Sequence, residues 1–181
     1  EALRTHAINN GLPEDRVNRQ IMACALRYAA IFAYGRQWCA GLNVYNDAVA
    51  AGATIEGMAS PFNAQILRVP GVKNPKFCSL FFDLECSLGS IGSFFDCNFD
   101  NSHVVVNPPR VEEVIERVVE FCVNQVANKK CTFTLILPLW TDARYYMTLK
   151  SIDASMTEID NETYYSEDPF SGEIKKHSGF K

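Results

Sequence analysis

The chain of 181 residues has no apolar run long enough to cross a bilayer as a helix, so a membrane-spanning role is excluded from its readings. It also has no basic excess: 17 Lys and Arg stand against 21 Asp and Glu, a formal net charge of -4. That balance removes the broad cationic face by which duplex binders displace counterions from phosphate. The seven cysteines (Cys24, Cys39, Cys78, Cys86, Cys97, Cys122, Cys131) never fall in Cys-x-x-Cys spacing and are odd in number. Neither a disulfide framework nor a zinc site follows, and most are expected to be buried free thiols of an intracellular reducing compartment, nucleus or cytoplasm. Histidine is scarce: His6, His103 and His177 lie far apart, so no metal centre and no nucleophile-histidine-acid triad is proposed. A glycine-rich phosphate loop of the usual dinucleotide type is missing as well. The chain opens on Glu1 rather than Met, the mark of a trimmed domain or a processed product.

What is present is a series of short apolar runs that stop abruptly. His103-Val104-Val105-Val106 halts at Asn107-Pro108-Pro109-Arg110. Neither proline can donate to a ladder or extend a helix, so a strand ends with the Asn107 carboxamide and the Pro108 carbonyl at its tip. Open α/β sheets place their chemistry there. The two groups together suit the hydrogens of an exocyclic amine, on adenine or cytosine, although four such residues alone also describe a rigid loop.

Along the chain, Pro13 and the acids after it start a helix over Glu14 to Tyr34 that stops at Gly35, with Val17, Ile21, Met22, Ala25, Leu26, Ala29 and Phe32 on its apolar face. A weaker helix spans Tyr45 to Ala51. Ile55 to Met58 forms a short strand entering Ala59-Ser60-Pro61-Phe62-Asn63, and Asn63 to Arg68 is a helical turn. Phe77 to Phe82 reads as a buried strand closed by Asp83-Leu84-Glu85. After the strand at Val104 comes a periodic helix in which Val111, Val114, Ile115, Val118, Cys122 and Val126 share a face. Thr132 to Leu137 is a strand ending at Pro138-Leu139-Trp140, Ala143 to Leu149 is helical or extended, and from Asp153 onward the chain turns polar. This order predicts an α/β fold: a Rossmann-like sheet with helices on both faces and an N-terminal helix, its sheet possibly incomplete, with edge strands in the tail or beyond the chain. Residues 1–52 are expected to be a helical segment packing on the core, and 53–181 the Rossmann-like core with its polar tail.

The strand ends at 59–63, 83–85, 107–110 and 137–140 would share one rim. Their order resembles the N6-adenine methyltransferases, and more specifically the phosphorylated CTD-interacting factor family of cap-specific adenosine N6-methyltransferases. The resemblance rests on Ala59-Ser60-Pro61-Phe62-Asn63, Phe77-Cys78-Ser79, Gly89-Ser90-Ile91-Gly92-Ser93-Phe94-Phe95-Asp96, Asn107-Pro108-Pro109 with Glu112-Glu113, and Leu137-Pro138-Leu139-Trp140. Leu26-Arg27-Tyr28 extends it into the N-terminal helix.

The resemblance implies methyl transfer from S-adenosylmethionine to the N6 amine of the adenosine beside an mRNA cap. Asn107, Pro108, Pro109 and Arg110 become the catalytic motif. Ser60, Pro61 and Asn63 become a cofactor loop, Asp83 or Glu85 the acid for ribose hydroxyls, and Glu112 an acid facing the cofactor. Capped, adenosine-initiated RNA is the implied partner, with a larger protein complex possible, and Arg110 and Trp140 are the candidate base contacts. Arg110 is the departure, since the family carries an aromatic there; a guanidinium plane can also stack on a base or hold a phosphate. Two other readings stay open: a non-catalytic descendant that positions RNA in an assembly, and a DNA adenine methylase of a mobile element or virus. Tyr164-Tyr165 with Lys175-Lys176 interleaves aromatics and charge as a single-strand RNA contact would, yet a disordered or partner-covered tail is the better account of it.

Overall fold

Val104, Val105 and Val106 are all fully buried, which a strand achieves only when both faces of its sheet are covered. The computed structural model describes residues 1–31, 37–159, 164–168, 171 and 173–176. In it the central strands run parallel in one four-stranded sheet. They are β2 (Ile55–Gly57), β3 (Lys76–Phe77), β4 (His103–Val106) and β5 (Thr132–Leu135), in the order β3-β2-β4-β5. A second, antiparallel sheet joins β1 (Gln37–Ala40), β6 (Tyr164–Glu167) and β7 (Ile174–Lys176) in the order β1-β6-β7. The helices are α1 (Ala2–Asn9), α2 (Glu14–Ile31), α3 (Leu42–Ala50), α4 (Phe82–Glu85), α5 (Glu112–Asn128) and α6 (Arg144–Ser151).

Alternation along β4 divides the core into two layers. Val105 packs with Tyr45 and Ala48 of α3, Ile66 and Tyr164, so α3 and the antiparallel sheet cover that face. Val104 and Val106 point the other way, onto Val118 and Cys122 of α5 and the rings of Phe94 and Phe99. Phe94 leans so closely on β2 that a Cβ on Gly57 would lie 2.7 Å from its ring, so glycine at 57 is a packing requirement. The helices α1 and α2 cover the β3 end of the sheet through Ala7, Val17, Cys24, Phe77 and Leu88.

Several expectations need correction. The run from Phe77 to Phe82 pairs as strand only at its first residue, and Phe82–Glu85 is a turn of helix, so Asp83 and Glu85 do not end a strand. An apolar run of that length fits a strand or a buried turn equally, and periodicity cannot separate them. The N-terminal helix buries Val17, Cys24, Ala25 and Tyr28, leaving Met22 and Leu26 more than half exposed, while its expected end at Phe32 to Gly35 lies outside the described residues. In α5, Val119 is buried, and Val111 and Val126 are exposed. The second helix begins at Leu42, the strand after Cys131 ends at Leu135, and the ambiguous stretch near 143 is the helix α6. The first 52 residues also contain a strand, β1, and an additional helix, α1. The polar tail folds back as β6 and β7, which extend β1 rather than the edge of the parallel sheet; His177 and Lys181 lie outside the described residues. Among the cysteines, Cys24, Cys39, Cys78 and Cys122 are buried, Cys86 is exposed, and all seven are free thiols.

Glu56, in the middle of β2, is an acid in the core at 2% exposure. Its carboxylate accepts hydrogen bonds from the Tyr45 hydroxyl at 2.7 Å and the Ile66 N–H at 2.9 Å. Burial raises its pKa from 4.5 to about 7, with the bonds from Ile66 and Tyr45 pulling the other way. An acid with a raised folded pKa holds its proton while the unfolded chain ionises. Its contribution is therefore fully present below pH 4.5 and is lost as pH rises to about 7. Glu56→Gln should remove this slope: unfolding free energies measured at about pH 4.5 and about pH 8 should show wild type losing on the order of 3 kcal/mol relative to the variant. Parallel pH profiles for the two proteins would contradict this assignment.

Candidate functional site

From β2 the chain moves to β3 on one side, then crosses to β4 on the other, so the strand order reverses at β2. The crevice outside the carboxyl ends of β2 and β4 is thus the topological switch point, where open α/β sheets bind ligands. Gly57 and Val106 are register partners at those ends, so the loop from Met58 and the loop from Asn107 leave the sheet side by side.

The first loop is held from within. Ser60 is buried, and its backbone N–H donates to Asn63 Oδ1 at 2.7 Å. The N–H groups of Phe62 and Asn63 donate to Ser60 Oγ at 3.2 and 3.3 Å, and Ser60 Oγ donates to Gln37 Oε1 at 2.6 Å. Asn63 Nδ2 reaches the Trp38 carbonyl at 3.0 Å. Ser60 and Asn63 therefore shape the loop and fasten it to β1. Pro61, buried, and Phe62, half-buried, line a cleft of about 480 Å³ against α1, α2 and the end of β6. Met58, with φ 61°, makes the turn into the loop in a left-handed conformation.

The two candidate acids have opposite surroundings. Asp83 is on the surface, and Arg27 donates to both its oxygens at 3.0 and 2.9 Å, which lowers its pKa. Glu85 is fully buried, and among the described residues neither carboxylate oxygen makes a hydrogen bond. Desolvation raises its pKa, while the Ser79 and Tyr28 hydroxyls nearby lower it. Tyr28 meets Phe62 of the first loop edge-on at 6.0 Å and Phe81 at 5.1 Å, so Glu85 lies on the inner side of the loop's aromatic wall.

At the end of β4, Asn107 is half-buried, Pro108 is buried and Pro109 is exposed. The Val111 N–H donates to the Pro109 carbonyl at 2.8 Å, a tight turn around Arg110 that leads into α5. Asn107 Oδ1 accepts a hydrogen bond from the Tyr164 hydroxyl at 3.3 Å. Burial raises the Tyr164 pKa, which keeps the phenol a donor. The Arg110 guanidinium carbon sits 4.0 Å from the centroid of the same ring, and Trp38 is stacked on Tyr164 at 5.8 Å and 7°. Glu112 is exposed on the first turn of α5. Trp140 packs with Tyr145 and the α5 residues Ile115 and Val119, the lid of a core between α5 and α6.

The structure thus brings the Ser60 to Asn63 loop, Glu85 and the Asn107 motif to one end of the sheet; Asp83 is tied to α2, and Trp140 closes a separate core. Trp38 was missed as a site residue, and Tyr164 was read only as part of a tail and not as a neighbour of Asn107. The available signal was the alternation in Gln37 to Ala40 and Tyr164 to Glu167, two short runs that become strands only against each other.

These features define a class: an α/β domain with a parallel sheet covered on both faces and polar loops meeting at its switch point. The family described as Phosphorylated CTD interacting factor 1 WW domain matches residues 6–167, and the chain belongs to it. The matched span contains the whole parallel sheet together with β1 and β6. No curated protein matches the chain.

Because Asn63 fastens two elements, Asn63→Ala should destabilise the fold by about 1–3 kcal/mol, the effect of leaving the Ser60 N–H and the Trp38 carbonyl unpaired. Asp83→Asn should leave the thermal midpoint close to that of wild type, since its ion pair is solvent-screened. Thermal unfolding of both variants checks the contrast, and equal losses would refute it.

Proposed function

We propose that this chain is an S-adenosylmethionine-dependent N6-adenine methyltransferase domain acting on RNA, at the adenosine beside the cap. The observation that carries the reading is the pairing of β2 with β4, which sets Asn107-Pro108-Pro109 beside the Ser60 to Asn63 loop at the switch point. The cofactor supplies an electrophilic methyl group. The residues fit it on one structural ground: Glu85 presents a buried carboxylate whose oxygens make no hydrogen bond among the described residues, the chemistry that accepts hydroxyl hydrogens. Glu85 would hold the ribose, and the loop at 60–63 would border the rest of the cofactor.

The chain's own part in the reaction is positioning. Asn107 Oδ1 has a second lone pair beyond the one used by Tyr164, and with the Pro108 carbonyl it would accept the two amine hydrogens. That pairing turns the nitrogen lone pair toward the methyl donor. The proton can depart to water after transfer, so no strong base is required at the rim. The family's description refers to interaction with a phosphorylated CTD, which fits a protein that works on transcripts within a larger assembly. The free thiols fit a reducing compartment, nucleus or cytoplasm.

Calorimetry with S-adenosylmethionine, followed by methyl transfer to capped adenosine-initiated RNA and to the same sequence as DNA, tests the reading. Binding and transfer to the RNA are expected, with Asn107→Ala lowering transfer by about 10²-fold or more. A folded sample that does not bind the cofactor would sink the enzyme and leave a structural role, and preference for the DNA would move the substrate assignment.

A further inference from the structure

Two of the seven free thiols meet across the α5 side of the core. Cys78, directly after β3 and fully buried, donates to Cys97 Sγ at 3.9 Å, and Cys97 Sγ in turn reaches the Ile91 carbonyl at 3.4 Å. The backbone at Cys78 is clamped on both sides: its N–H donates to the Glu56 carbonyl at 2.8 Å, and its carbonyl accepts from the Ala59 N–H at 2.9 Å. Cys97 follows the turn of helix at Phe94–Asp96 and is half-buried between exposed Asp96 and Asn98. One thiol is therefore fixed and shielded, and the other is within reach of solvent. The bond from Cys78 lowers the Cys97 pKa against burial and Asp96, while the same bond and burial raise that of Cys78. Thiolate character thus falls on the accessible sulfur.

We propose that Cys78 and Cys97 form a reversible disulfide on reaction with a hydroperoxide, with Cys97 as the attacking thiol and Cys78 as the resolving one. In the first step the Cys97 thiolate attacks the peroxide: an S–O bond forms, the O–O bond breaks, and the departing oxygen takes a proton from solvent to leave as alcohol or water. In the second, the Cys78 sulfur gives its proton to solvent and attacks the sulfenic sulfur; the S–S bond forms, the S–O bond breaks, and hydroxide leaves as water. The two thiols lose two electrons and the peroxide takes them. A dithiol reductant restores both thiols by exchange. The new bond would join the segment carrying Phe94, which packs on Gly57, to the residue whose carbonyl holds Ala59, and so fasten the root of the first loop. It stands whether or not the chain transfers methyl groups.

The test treats the folded full chain with a small excess of hydrogen peroxide, blocks the remaining thiols with N-ethylmaleimide, and maps the products by mass spectrometry. Chymotrypsin is the protease to use, since trypsin leaves Cys78, Cys86 and Cys97 in a single peptide. Wild type should lose two of its seven thiols and yield Cys78 linked to Cys97, with exposed Cys86 blocked as a single thiol. Its thermal midpoint should rise on the order of 5 °C and return on adding dithiothreitol, because the link closes a loop between positions 19 apart. Cys86→Ser should give the same link and the same shift. Cys97→Ser, at a half-buried position, should be folded by far-UV circular dichroism and show neither. A sulfinic acid at Cys97 with Cys78 still free, a link between other cysteines, a link that forms only after unfolding, or two thiols untouched by excess peroxide would each overturn the proposal.

Discussion

The register that sets Gly57 opposite Val106 is the constraint on which the molecule depends. Because side chains alternate along a strand, a slip of β2 by one residue would carry Glu56 to the α5 face, and a slip of β4 would carry Val105 there and bring Val104 and Val106 against α3. Two different cores would then receive the wrong residues. The α3 face offers Glu56 a phenol and a backbone N–H, whereas the α5 face offers rings, aliphatics and cysteine thiols. A carboxyl moved there would meet at best the weak donor of a thiol. The same register brings the loops at 58 and 107 out of the sheet as neighbours, so the pairing that satisfies the core also assembles the crevice.

The antiparallel sheet is a second consequence of that geometry. The α3 face of the parallel sheet needs cover beyond what a helix of nine residues provides, and Tyr164, with half-buried Trp38 against it, completes it. Their position near the end of β4 makes them both core and rim. A side chain that is buried for packing and bonded to a motif residue links stability to site geometry. Asn63, which reaches the Trp38 carbonyl, ties the first loop into the same unit.

Legibility in the sequence followed the range of the interactions. Residues 103–106 and 112–128 were readable because three consecutive valines and a helical repeat carry their signals locally. Asn107 was readable because two prolines end a strand wherever they occur. The pairing of β1 with β6 was not, since each run of four residues lacks a reason to be a strand without the other. The environment of Arg110 was hidden for the same reason: position 110 reads as a lost aromatic until Tyr164 arrives from the far end of the chain. The stretch at 77–85 failed differently, because its composition suits two local structures and only the packing of Leu84 and Glu85 against α2 and its neighbours selects helix.

The two buried acids differ in how the fold answers their polar atoms. Glu56 and Glu85 are both inaccessible, and burial raises the pKa of each. Glu56 has donors on both oxygens, so the fold itself accounts for it. Among the described residues Glu85 has none on either, although the Ser79 and Tyr28 hydroxyls lie near enough to lower its pKa, and an unsatisfied carboxyl in a folded interior costs free energy. Asp83, two residues earlier, is bonded, exposed and shielded by water. Of the two acids at this end of the sheet, Glu85 is the one whose polar atoms the described residues leave without a hydrogen bond, and Asp83 is the one held by Arg27.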